Sequence, residues 1–120
     1  MRDQGFCAPL TLDMYQREAF KVAEYPGIGT PEGLVYTTLG LTGEAGELAN
    51  HLKKVMRDDG HEMTPERRKA MLGELGDILW YVSQCAKEMG FTMNEVGQAN
   101  LEKLASRSVR GKIQGSGDHR

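Results

Sequence analysis

Gly43-Glu44-Ala45-Gly46-Glu47-Leu48 returns further along the chain as Gly73-Glu74-Leu75-Gly76-Asp77-Ile78, so both copies read Gly-Glu-x-Gly-acid-aliphatic. Residues three apart share a helix face, and each copy therefore sets its two carboxylates side by side, where like charges repel. A glycine inside a helix also costs about 1 kcal/mol against alanine. Glycines interleaved with acids in this way imply that something approaches the backbone closely. The pattern points to a divalent cation site that holds an anionic ligand.

The chain between the copies fixes how they meet. It contains a polar break, Asp58-Asp59-Gly60-His61-Glu62-Met63-Thr64, that should reverse its direction. Glu47 lies about ten residues before the break and Glu74 about ten after it, which is about 15 Å along each helix. An antiparallel pair sets these two level and brings Glu44 opposite Asp77. A helical hairpin thus gathers all four carboxylates. Without a metal such a cluster is strongly unfavourable; with Mg²⁺ or Mn²⁺, hard ions that prefer oxygen ligands, it becomes a site. A lone Glu-x-x-Glu is ordinarily a solvated face, and the mirrored pair is what lifts this one above that reading.

A chain of 120 residues suffices for one core, read as a single domain over residues 1–108 with a glycine-rich tail over 109–120. The formal net charge of −2 excludes a global basic field for nucleic acid polymers. Cys7 and Cys85 stand far apart, so neither a zinc site nor a disulfide scaffold is indicated, and a reduced, cytoplasmic setting fits. Met1 to Leu10 lacks a signal-peptide core, and no apolar run reaches membrane-spanning length.

Four helices and no strands are expected, an all-α, four-helix bundle-like domain built around the antiparallel pair. Thr11 caps a first helix from Leu12 to about Ala23. Thr30-Pro31-Glu32 opens a second, to about Arg57, with a core stripe of Leu34, Leu41, Ala45, Leu48, Leu52 and Val55. Gly40, Gly43 and Gly46 are places where it can bend, and His51 and Lys54 continue the acidic edge. Thr64-Pro65-Glu66 opens a third helix, stopped by Gly90, with Leu72, Leu75, Ile78, Leu79, Val82, Cys85, Ala86 and Met89 as its core face. Tyr81 flanks Glu74 and Asp77. Trp80 projects away from the core centre and implies a second buried surface, hence an oligomer. Thr92-Met93-Asn94-Glu95 is a capping box for a fourth helix to about Ser108. There Asn100, Lys103 and Arg107 either face the acids and hold phosphate oxygens, or the two cations simply cap the helix end. In the tail, Gly115-Ser116-Gly117 either wraps an anion or belongs to a disordered terminus.

The quartet Glu44, Glu47, Glu74 and Asp77 resembles the signature of the MazG-like, all-α nucleoside triphosphate pyrophosphohydrolases, Glu-x-x-Glu followed after a variable gap by Glu-x-x-Asp. The likeness extends to Tyr15-Gln16, to the Gly-Glu-Ala-Gly-Glu-Leu run, to Glu-Leu-Gly-Asp-Ile-Leu-Trp-Tyr and to Asn100-x-x-Lys103. These span most of the chain from Tyr15 to Arg107. The resemblance implies that the four acids bind Mg²⁺ and that a nucleoside triphosphate is cleaved between its α and β phosphates, giving monophosphate and pyrophosphate. It also implies a homodimer or homotetramer. Cations that neutralise the phosphates and lower the pKa of an attacking water suit that chemistry. Lys54 and Lys103 are then candidates for residual phosphate charge, and Tyr81 for stacking on the base.

Two rival readings remain. A ferritin-like di-iron site also clusters carboxylates among helices, but it requires Glu-x-x-His pairs; no histidine stands three residues after Glu44, Glu47 or Glu74, and His61-Glu62 lacks the second histidine of a zinc protease. The other rival is a non-catalytic helical module whose acids bind a basic partner, which predicts no metal-dependent turnover.

Overall fold

The computed structural model describes residues 8–111, which form four helices and, among the described residues, no strand: α1 (Leu12–Phe20), α2 (Pro31–Arg57), α3 (Pro65–Glu88) and α4 (Met93–Val109). The fold class is all-α, as expected. Cys7 and Gly115-Ser116-Gly117 lie outside the described residues. No helix among them is long and apolar enough to cross a membrane.

The starts follow from their caps. Thr11 Oγ1 accepts from Met14 N at 3.0 Å, and Thr64 Oγ1 accepts from Arg67 N at 3.1 Å. At Thr92 both halves of the capping box are present, so each side chain satisfies a backbone N–H that the helix leaves open. Thr30 differs from these three. Its hydroxyl donates backward to Gly27 O at 2.6 Å and makes no cap bond, leaving Pro31 at the first helical position to set the start.

Two ends also differ. α1 stops at Phe20 rather than Ala23, because its last bonds tighten to three-residue spacing, Lys21 N to Glu18 O at 3.2 Å and Ala23 N to Phe20 O at 3.0 Å. The chain then leaves the helix axis and buries Tyr25. α4 runs to Val109, against an expected end at about Ser108.

α2 and α3 form the antiparallel hairpin, and α2 packs on no other helix. Their register can be read from three crossings. Gly33 lies against Glu88, Gly40 against Tyr81, and Glu44 against Asp77. Steps of seven and four residues up α2 match steps of seven and four down α3. A Cβ on Gly40 would stand 2.5 Å from Tyr81 Cζ, so glycine is what lets this ring lie on the α2 backbone. The motif glycines behave otherwise: a Cβ at Gly43, Gly46, Gly73 or Gly76 meets nothing within 4 Å among the described residues. α2 also runs through all of its glycines as one helix.

The hairpin seam is small and polar. Thr37, Ser83 and Gln84 are fully buried. Thr37 Oγ1 donates to Gly33 O at 3.0 Å, and Ser83 Oγ donates to Trp80 O at 2.7 Å, which meets the rule that buried hydroxyls find partners. Of the expected apolar stripes, Val55 and Ala86 are buried, whereas Leu52, Leu72, Leu75 and Met89 remain about half exposed or more.

α1 and α4 close the other side of α3. Gln16 ties them: its amide donates to Ser83 O and Phe91 O, each at 3.1 Å, and its Oε1 accepts from Met93 N at 3.1 Å. Asp13 Oδ1 accepts from Asn94 N at 2.9 Å, placing a negative charge at the positive end of α4. Trp80 corrects an expectation. Its Nε1 donates to Ala19 O at 3.3 Å, and its ring stands edge-on to Tyr25 and Tyr81. Trp80 is therefore half-buried against α1 of its own chain rather than projecting free of the core. The α1–α2 connection is latched in turn by Glu88, which accepts from the Tyr25 hydroxyl and from Gly29 N.

Candidate metal centre

The hairpin register brings Glu44, Glu74 and Asp77 together, with one carboxylate oxygen from each lying within 4.8 Å of the others. Glu44 and Glu74 are half-buried and Asp77 is exposed, so the group opens to solvent on one side. Glu47 is exposed and stands one helical turn from Glu44, outside the three-oxygen group. Three of the four expected carboxylates therefore meet directly, and the fourth flanks them.

The electrostatics of the group are those of a site that needs positive charge. The Glu44 carboxyl is pushed above the ordinary carboxylate value by burial, then by its hydrogen bond with Glu74, then by the charges of Asp77, Glu74 and Glu47. Two carboxyls can hydrogen-bond only if one holds a proton. All the donors are hard oxygens, which fits Mg²⁺ or Mn²⁺.

Two phenols border the acids. Tyr15 on α1 has its pKa raised by burial and by the charge of Asp77. Tyr81 has its pKa raised by burial, then by Tyr36, and then by Glu44 and Asp77. Tyr81 thus sits where the sequence expected it, but its ring packs on Gly40 and Trp80. In the sequence Tyr15 stands out only within the family pattern. Its approach to Asp77 comes from α1 lying across α3.

Behind the acids, His51 Nε2 is 3.4 Å from Glu74 Oε1, and His51 Nδ1 is 3.1 Å from Arg67 Nη1. Arg67 Nε in turn donates to Asp59 Oδ2 at 2.9 Å. The acidic edge of α2 foretold His51, four residues after Glu47. Nothing in the sequence signalled Arg67, which reaches back from the first turn of α3.

The remaining expected residues are not part of the three-oxygen group. Lys54 is half-buried at the hairpin end of α2, ten residues past Glu44 and so about 15 Å along the axis. Asn100 and Lys103 open onto a groove of about 500 Å³ shared with Met89, Phe91, Glu95, Val96 and Ala99. Met89 is twelve residues from Asp77, about 18 Å along α3. Arg107 is buried further along α4. α4 packs on α1 and on α3, the helix that carries Glu74 and Asp77.

Comparison with known proteins agrees with the geometry. The model of the MazG nucleotide pyrophosphohydrolase domain matches residues 34–110, a span that includes all three grouped carboxylates. Gene 37 protein of Mycobacterium phage L5 is 50% identical over 112 residues, covering 91% of this chain and 98% of that protein. No solved structure matches the chain. On the extent of the domain match, the chain belongs to the MazG nucleotide pyrophosphohydrolase family.

Proposed function

We propose that this chain hydrolyses nucleoside triphosphates between the α and β phosphates, releasing a nucleoside monophosphate and pyrophosphate, as a house-cleaning or pool-controlling activity of the cytoplasm. The observation behind this is the group of Glu44, Glu74 and Asp77 oxygens within 4.8 Å of one another, set inside a span with the family's pattern. These three, with Glu47 as a flanking fourth, would hold Mg²⁺, with Mn²⁺ able to substitute. Such an ion supplies positive charge against phosphate oxygens and lowers the pKa of a water.

The chain's own residues do the rest. A carboxylate of the group accepts the proton of the attacking water. Lys54 continues the acidic edge of α2 and offsets charge on the outer phosphates. Tyr81, anchored on Gly40, presents its remaining aromatic surface beside the acids. A homodimer or homotetramer belongs to the proposal, because Leu39, Leu72 and Leu75 are each more than half exposed and an uncovered apolar face of that kind calls for a partner.

The test is pyrophosphate release across a panel of ribo- and deoxynucleoside triphosphates with Mg²⁺ and then Mn²⁺. Turnover is expected to vanish in Asp77→Asn and Glu47→Gln while far-UV circular dichroism stays helical. A folded protein that turns over none of the panel refutes the reading and favours the non-catalytic module.

A further inference from the structure

We propose that His51, Arg67 and Asp59 form a positioning chain that fixes the Glu74 carboxylate for its cation, an inference that rests on the metal-site reading above. The order of the chain follows from donor chemistry. A guanidinium has N–H donors and no acceptor. The 3.1 Å contact from Arg67 Nη1 therefore requires His51 Nδ1 to be the acceptor, and the proton of the neutral ring must sit on Nε2. Nε2 lies 3.4 Å from Glu74 Oε1. The histidine thus stands against one end of Glu74, and the other lone pairs of that carboxylate are left for the ion.

The other end of the chain is anchored in the hairpin turn. Arg67 Nε donates to Asp59 Oδ2 at 2.9 Å, Arg67 N donates to Thr64 Oγ1 at 3.1 Å, and Asp59 N donates to Lys54 O at 3.2 Å. The side chains of Asp59, Arg67, His51 and Glu74 are only 18–20% exposed, which shields these contacts from competing water. The Arg67–Asp59 pair alone would close the turn. The imidazole placed between that pair and Glu74 is what links the turn to the acids, in the way that outer hydrogen bonds orient metal-ligating carboxylates.

Two measurements on the full chain decide it. Long-range ¹H–¹⁵N correlation of the imidazoles is expected to show His51 with a proton on Nε2 and none on Nδ1; a proton on Nδ1 overturns the chain. Calorimetric titration with Mn²⁺ is expected to show His51→Leu weakened about tenfold or more, the range seen when such outer partners are lost. His51→Gln, whose amide can offer an N–H near the Nε2 position, should recover most of that loss, with circular dichroism confirming the fold of both. If wild type binds Mn²⁺ and His51→Leu binds it within about twofold, the positioning chain is overturned while the metal site stands. A wild type that binds no Mn²⁺ overturns the metal site and the chain's purpose with it.

Discussion

Gly40→Ala should destabilise the protein even though it replaces glycine with the best helix former, and the sign should reverse when Tyr81 is removed. A Cβ at this position would stand 2.5 Å from Tyr81 Cζ and 2.6 Å from Cδ1, with Cε1 closer still. Carbon atoms prefer separations of about 3.5–4.0 Å, so the ring would have to retreat by about 1 Å or more. Trp80 stands edge-on to that ring with centroids 5.1 Å apart, which limits its escape. Overpacking of this kind costs about 1–3 kcal/mol, against a propensity gain of about 1 kcal/mol. The net loss is up to about 2 kcal/mol. In a Tyr81→Ala background the clash is gone, and Gly40→Ala should stabilise by about 1 kcal/mol, giving a coupling of about 1–3 kcal/mol between the two sites. Gly43→Ala is the control, because its Cβ meets nothing within 4 Å. Urea unfolding followed by circular dichroism measures all four corners of the cycle. Equal effects of Gly40→Ala in both backgrounds would refute the register that places Gly40 under Tyr81.

Gln16→Leu should lower stability by about 3 kcal/mol in urea titration, because it strips partners from the Met93 N–H and from the carbonyls of Ser83 and Phe91; a change under about 0.5 kcal/mol would show that water replaces them. Glu44 gives a pH dependence with a definite sign. Its carboxyl is raised in the folded chain, so the folded state binds the proton more tightly and the metal-free melting temperature should fall as pH rises from the ordinary carboxylate range toward neutrality. Glu44→Gln should flatten that fall, and Mg²⁺ or Mn²⁺ should reverse it; a metal-free protein whose stability rises through the same window contradicts the assignment. Trp80→Glu should lower the unfolding midpoint, since it drives a charge under α1 where the indole meets Ala19, Tyr25 and Tyr81. A variant that melts like wild type would restore Trp80 to an outer surface.

Much of the fold was legible because its signals are local. Thr64-Pro65 and the capping box at Thr92 act within one turn, and their helices start at Pro65 and Met93. The meeting of Glu44 with Asp77 was legible for a related reason: once the turn is placed, helical rise alone fixes which residues are level. Trp80 was misread because its cover comes from α1, which the periodicity of α3 does not encode. The link from Arg67 to His51 was invisible because it depends on a long side chain crossing between helices. Leu72 and Leu75 obey the apolar period, yet a period cannot say whether the chain itself will cover them.

The choice of stripe on α2 explains the site. Apolar periodicity favours Leu34, Leu41, Leu48 and Leu52, but the residues of α2 that meet α3 include Gly33, Thr37, Gly40, Glu44 and His51. They recur at spacings of three, four and seven, as a helix seam requires, while offering small surfaces or hydrogen-bonding groups in place of leucine. A leucine seam would be dry and would expel carboxylates. A seam of glycine, threonine and glutamate lets the helices approach, and because hydrogen bonds are directional it can aim a carboxyl as well as bury it. Glu47 occupies a slot with the right spacing and still stays exposed. The residue level with it, Glu74, is already engaged by Glu44 and His51. Removing His51 should therefore loosen Glu74, while removing Glu47 leaves the three grouped oxygens where they are.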